Sequence, residues 1–101
     1  MFRSIENDMA IKYKTQNIVD YIEQNGEKKI VHIRKYPQPL GIDSVIEVYK
    51  ILITNGEPNS IRLVGYRDKV KDTINLYLYN RVKPREVDYE EVKDLIRKYF
   101  E

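Results

Sequence analysis

His32 is the only histidine in this chain of 101 residues, and imidazole is the side chain that most readily moves protons near neutral pH. It stands alone: there is no Cys and no second His to complete a metal site with it. No serine has the histidine and carboxylate neighbourhood that a nucleophilic triad needs. Gly26, Gly41, Gly56 and Gly65 are too scattered to form a phosphate-cradling loop. The acid pairs Glu90/Glu91 and Asp68/Asp72 fit helix starts, where carboxylates complement exposed amides, better than general acid–base work. The sequence therefore reads as that of a non-enzyme with neither metal nor cofactor.

Basic residues interleaved with tyrosines form the stronger pattern. From Lys28 to Arg85 there are twelve Lys and Arg against five Asp and Glu, a local balance of +7, whereas the whole chain carries +2. The flanks are acidic, −2 over residues 1–27 and −3 over 86–101. Segregation of this kind points to an anionic partner for the middle of the chain. Arg34, Lys35 and Tyr36 end one predicted strand, and Tyr66, Arg67, Lys69 and Lys71 follow another. If the two strands are parallel neighbours, both groups end on one edge of the sheet, where Lys and Arg would neutralise phosphates and exposed tyrosines would stack on unpaired bases. These seven residues are the candidate nucleic-acid contacts, and DNA or RNA is the expected partner. Tyr49, Tyr77 and Tyr99 lie on apolar stripes and read as core.

The elements that must position them follow from periodicity. At 101 residues with 42% hydrophobic side chains the chain is expected to be one domain with one core. The absence of Cys, of any membrane-length apolar run and of an apolar leader fits a cytoplasmic protein. Residues 1–14 show no clear period and read as an arm. Thr15 as N-cap, the stripe Ile18, Val19 and Ile22, and Asn25-Gly26 as stop predict a short N-terminal helix. Residues 28–36 alternate, with Val31 and Ile33 on one face and Ile30, His32 and Arg34 on the other, predicting a strand. Pro37 to Gly41 must turn. Ser44 and Glu47 form a capping box for a second helix ending at Asn55-Gly56. Ser60 to Tyr66 alternates as a strand, and Asp68 caps a predicted helix that Pro84 stops. Residues 88–101 predict a terminal helix on Val92, Leu95, Ile96, Tyr99 and Phe100.

The fold class expected is α/β, a small two-layer sandwich. Its strand-helix-strand-helix core spans residues 29–82, with an extra N-terminal helix and a C-terminal helix. Ile33-Arg34-Lys35-Tyr36-Pro37, followed by Asn55-Gly56, Ser60 to Arg67, and then Val70, Ile74 and Asn75, resembles the Alba family of archaeal chromatin and RNA-binding proteins over about half of the chain. The resemblance implies that Arg34 and Lys35 stand where the family's strand-end lysines meet the phosphate backbone. Gly65, Tyr66 and Arg67 correspond in character to its basic glycine-containing turn. Family members end in a basic hairpin arm, where this chain has an acidic helix-like segment.

A second reading makes the chain a small adaptor of viral or plasmid type, binding a protein partner through its amphipathic C-terminal helix. Three apolar helix faces on a thin sheet would also leave surface to bury between copies. A homodimer is therefore expected, through the helix of residues 68–82 or the terminal helix.

Overall fold

The computed structural model describes residues 15–37, 45–56, 60–79 and 82–100. Its first reversal explains the architecture. Asn25 and Gly26 both have positive φ, 52° and 77°. A two-residue type I′ hairpin turn needs that pair of conformations, and Asn-Gly adopts them at least cost. Strand β1 (Gln16–Gln24) thus folds back on strand β2 (Glu27–Lys35), paired from Gln24↔Glu27 to Gln16↔Lys35. Strands β3 (Ile46–Thr54) and β4 (Ser60–Asp68) pair from Ile46↔Asp68 to Thr54↔Ser60. After β4, the Asp68 carboxylate accepts the amides of Val70 (2.9 Å) and Lys71 (3.1 Å), and Asp72 closes a tight turn at φ 54°. Strand β5 (Thr73–Leu78) then returns along β4, and strand β6 (Arg85–Val87) completes a six-stranded antiparallel meander in the order β1-β2-β3-β4-β5-β6.

The expected strand-helix-strand-helix sandwich is therefore not the fold: the chain forms one antiparallel sheet carrying a single helix among the described residues. The N-terminal helix predicted from Thr15 is β1, the second predicted helix is β3, and the helix predicted from Asp68 is a turn followed by β5. Asp68 does cap backbone amides, but those of a turn. Strands β2 and β4 lie where alternation placed them. The predicted arm 1–14, the proline loop beyond Pro37 and Ser44 of the capping box fall outside the described residues.

One face of the sheet is the core. Val31 and Ile33 of β2, Tyr49, Ile51 and Ile53 of β3, Leu63 of β4, and Ile74 and Leu76 of β5 are all buried on it. Cross-strand register aligns Ile18, Ile33, Ile51, Leu63 and Leu78 into one apolar row. Helix α1 (Glu90–Tyr99) closes this face with Val92, Leu95 and Ile96, followed by Phe100. Glu90 and Glu91 in its first turn and Arg97 and Lys98 in its last complement the helix dipole. Tyr99 is turned to the side, its hydroxyl donating to Asp20 of β1 at 2.5 Å, and Gln24 donates to Glu91 at 2.8 Å, so the helix is fastened along β1. No helix among the described residues is long and apolar enough to cross a membrane.

Gly65 shows how tightly the core is filled. It stands directly opposite Tyr49 on one side and Leu76 on the other, and a Cβ there would come within 3.0 Å of Leu76 Cδ2 and 3.3 Å of Ile51 Cδ1. The missing side chain is what lets both neighbours face inward. Gly65→Val is expected to lower the unfolding free energy by about 1–3 kcal/mol through overpacking, outweighing any gain in backbone stiffness. Urea denaturation of the variant against the parent chain measures this, and equal midpoints would show that the core has slack.

Candidate functional site

The two faces of the sheet treat charge in opposite ways. On the helix side the organiser is Glu47, 2% exposed. Its Oε2 accepts from Lys35 at 2.6 Å, its Oε1 accepts the Tyr49 hydroxyl at 2.7 Å, and Lys69 lies 4.0 Å away. Burial opposes its ionisation, but the hydrogen bonds from Lys35 and Tyr49 and the two lysine charges outweigh that, so its pKa is held below the ordinary 4.5. Burial first, then the hydrogen bond to Glu47 and the Glu47 charge, push the Tyr49 phenol upward, so it stays protonated and donating. Arg67, directly opposite Glu47, donates to the Phe100 carbonyl at 3.3 Å and to Asp72 at 3.4 Å. The Phe100 ring packs against Tyr49 with centroids 5.4 Å apart. This cluster ties the end of α1 to the end of the sheet.

The helix-free face is built from the alternate residues of the same strands. Arg34 of β2 stands directly opposite Lys50 of β3, and Lys50 stands opposite Val64 of β4, with Arg62 two residues along on the same face. All three cations are exposed, and among the described residues none has a carboxylate within ion-pair distance. Asn17 of β1 accepts Arg34 Nε at 3.1 Å, and Lys50 lies 5.6 Å from the Tyr36 ring centroid. On the helix side, Lys35, Arg67, Lys69, Lys93, Arg97 and Lys98 each lie within 4.0 Å of a carboxylate. Between the free cations is a recess of about 510 Å³ whose lining includes Val19, His32, Leu52, Val64 and Tyr79. Tyr66 lies beyond it on the same face, edge-on to Tyr77 at 5.9 Å.

No family model, curated protein or solved structure matches this chain.

The seven residues expected to make contact are thus divided by the fold. The two segments are not parallel neighbours, because β3 runs between them, yet β2 and β4 point the same way and finish at the same end of the sheet. Arg34, Tyr36 and Tyr66 belong to the helix-free face. Lys35 and Arg67 face the helix, Arg67 being buried, and both are held in the Glu47 cluster. Lys69 and Lys71 are exposed in the β4–β5 turn. Lys50, Arg62, Tyr79 and His32 were not singled out as contacts from sequence, although Lys50 and Arg62 share their face with Arg34. Tyr49 is core, as its apolar spacing indicated, whereas Tyr77 is half-buried beside Tyr66 and Tyr99 is exposed beside Asp20. The helix surface from which a homodimer or a docked partner was expected is largely spent within the chain. The 68–82 helix does not form, and Val92, Leu95, Ile96 and Phe100 are buried in the core.

The pH dependence of Glu47 follows from its depressed pKa. The folded group releases its proton more readily than the unfolded one, so its contribution is complete above about 4.5 and is lost as pH falls through the lower folded value. Glu47→Gln is expected to cost roughly 3 kcal/mol at neutral pH, because the Lys35 ammonium loses its counter-charge. The variant should also lose part of the parent's decline in stability below about pH 4.5. Urea midpoints for both proteins across the acid range measure the two effects together, and parallel curves would remove Glu47 as the titrating group.

Proposed function

We propose that this chain is a sequence-tolerant nucleic-acid-binding protein that meets the phosphate backbone with the helix-free face of its sheet. The observation that carries the reading is the register of Arg34 against Lys50, with Arg62 on the next strand, all three lacking carboxylate partners among the described residues. Like charges directly opposite one another destabilise a sheet by roughly 0.2–1 kcal/mol. Among the described residues, carboxylates stand against every helix-side cation named above and against none of these three. A polyanion supplies the missing counter-charge, and phosphate looks alike at every nucleotide, so such contacts bind without reading sequence. The adaptor reading has no comparable support, since the apolar side of α1 is already buried against the sheet.

Replacing Arg34, Lys50 and Arg62 together by Gln is the direct test. The triple variant should fold at least as stably as the parent, because it loses a repulsion and no ion pair. Its affinity for a labelled oligonucleotide should fall. The dependence of log K on log salt should become shallower by about 2, given roughly 0.7–0.9 for each phosphate whose neutralisation releases counterions. Fluorescence anisotropy at several salt concentrations measures both quantities. Absence of binding by the parent protein at low salt overturns the proposal.

A further inference from the structure

The same face carries features that phosphate contact alone does not use, and these specify the ligand further, resting on the reading just given. Val19 is 57% exposed, Tyr66 44% and Tyr79 64%, all on the helix-free face among its cations. Leu52 and Val64 are half-buried in the recess below them. A duplex offers such residues no base face to stack on. Its bases are stacked on one another and show only their edges in the grooves, and its major groove is about 12 Å wide, which admits a helix or a two-stranded ribbon. The face that bears the recess crosses five strands, about 19 Å at the usual strand spacing, and has nothing narrow enough to enter that groove.

We infer that the ligand is a single strand of nucleic acid, with one base seated in the recess formed by Val19, His32, Leu52, Arg62 and Tyr79 and its neighbouring phosphates on Arg34 and Lys50. The chemistry fits each part. Tyr79 stands at the end of β5, where its amide donates to the Arg62 carbonyl at 2.9 Å, so its ring rises beside the Arg62 side chain at the rim of the recess. A base entering there stacks on the phenol ring and the guanidinium plane while covering Val19 and Leu52. Arg34 and Lys50 lie in the adjacent cross-strand row, two residues along each strand, about 7 Å away. That places phosphate and base contacts side by side across the strands. Every nucleobase offers a π-face and every linkage a phosphate, so the arrangement is indifferent to sequence.

The test uses one mixed-sequence oligonucleotide, presented at low salt as single-stranded DNA, as single-stranded RNA and as duplex DNA. Either single strand should bind at least about tenfold more tightly than the duplex. Tyr79→Ala should weaken single-strand binding roughly 5- to 100-fold while leaving the salt slope and the weak duplex binding unchanged, because stacking releases no counterion. Tyr79 is exposed, so the variant should fold, and an unchanged urea midpoint checks that. Duplex binding equal to or tighter than both single strands overturns this inference while leaving the phosphate-binding face intact. Unaltered single-strand affinity in Tyr79→Ala overturns the base seat. Failure of all three ligands to bind overturns the underlying reading, and this one with it.

Discussion

A sheet has two faces, and the described part of this chain has one helix of ten residues with which to cover them. That limit governs the rest of the structure. In a meander every strand presents alternate residues to opposite sides, so each of β1 to β5 must carry one set suited to a core and another suited to water or a partner. The helix side resolves into an apolar core rimmed by paired charges, and the open side into exposed cations set among tyrosines and aliphatic residues. Neither set can be altered by sliding a strand, because a shift of one residue would exchange the faces along its whole length.

The Glu47 cluster shows why charge appears on the helix side at all. A buried carboxylate is costly, and a well-packed apolar replacement for the whole cluster could be as stable. What the charged version adds is position. Lys35 and Tyr49 both reach Glu47, Arg67 reaches the Phe100 carbonyl, and the Phe100 ring rests on Tyr49. The end of α1 is thereby fixed at one corner of the sheet, while Tyr99 and Lys98 fix its flank to Asp20. A slipped helix would leave several polar groups buried without partners, whereas an apolar cluster would tolerate the slip.

The same arrangement explains what could be read from sequence. Strands β2 and β4 were legible because their inner residues are apolar and their outer ones polar: Val31 and Ile33 against His32 and Arg34, Leu63 against Arg62. Helix α1 was legible because its polar side faces water. Strand β3 was not, because it is apolar on both faces: Glu47 points inward with Tyr49, Ile51 and Ile53, while Ile46, Val48 and Leu52 point outward with Lys50. Asp20 does the same in β1, facing the helix between Ile18 and Ile22 while Val19 and Tyr21 lie outside. Hydropathy therefore failed to alternate, and clusters of adjacent apolar residues imitated helical stripes. The stronger signals were the turns. Asn25-Gly26 suits a type I′ hairpin at least as well as a helix end, and taking it as a helix stop displaced everything before it.

The candidate contacts were only partly legible for a related reason. Clustering along the chain picked out Arg34 with Lys35 and Tyr66 with Arg67, yet in a strand adjacent residues point to opposite faces. Each pair was bound to be split: Lys35 and Arg67 were drawn into the Glu47 cluster, and Arg34 and Tyr66 were left outside. Parity carries more information than proximity here. Once the register is known, Arg34, Lys50 and Arg62 are neighbours across three strands although sixteen and twelve positions separate them along the chain. The basic character of the middle segment thus contains two different things in one sequence: Lys35, Arg67 and Lys69, which carboxylates neutralise on the helix side, and Arg34, Lys50 and Arg62, which face the other way together with no carboxylate partner among the described residues.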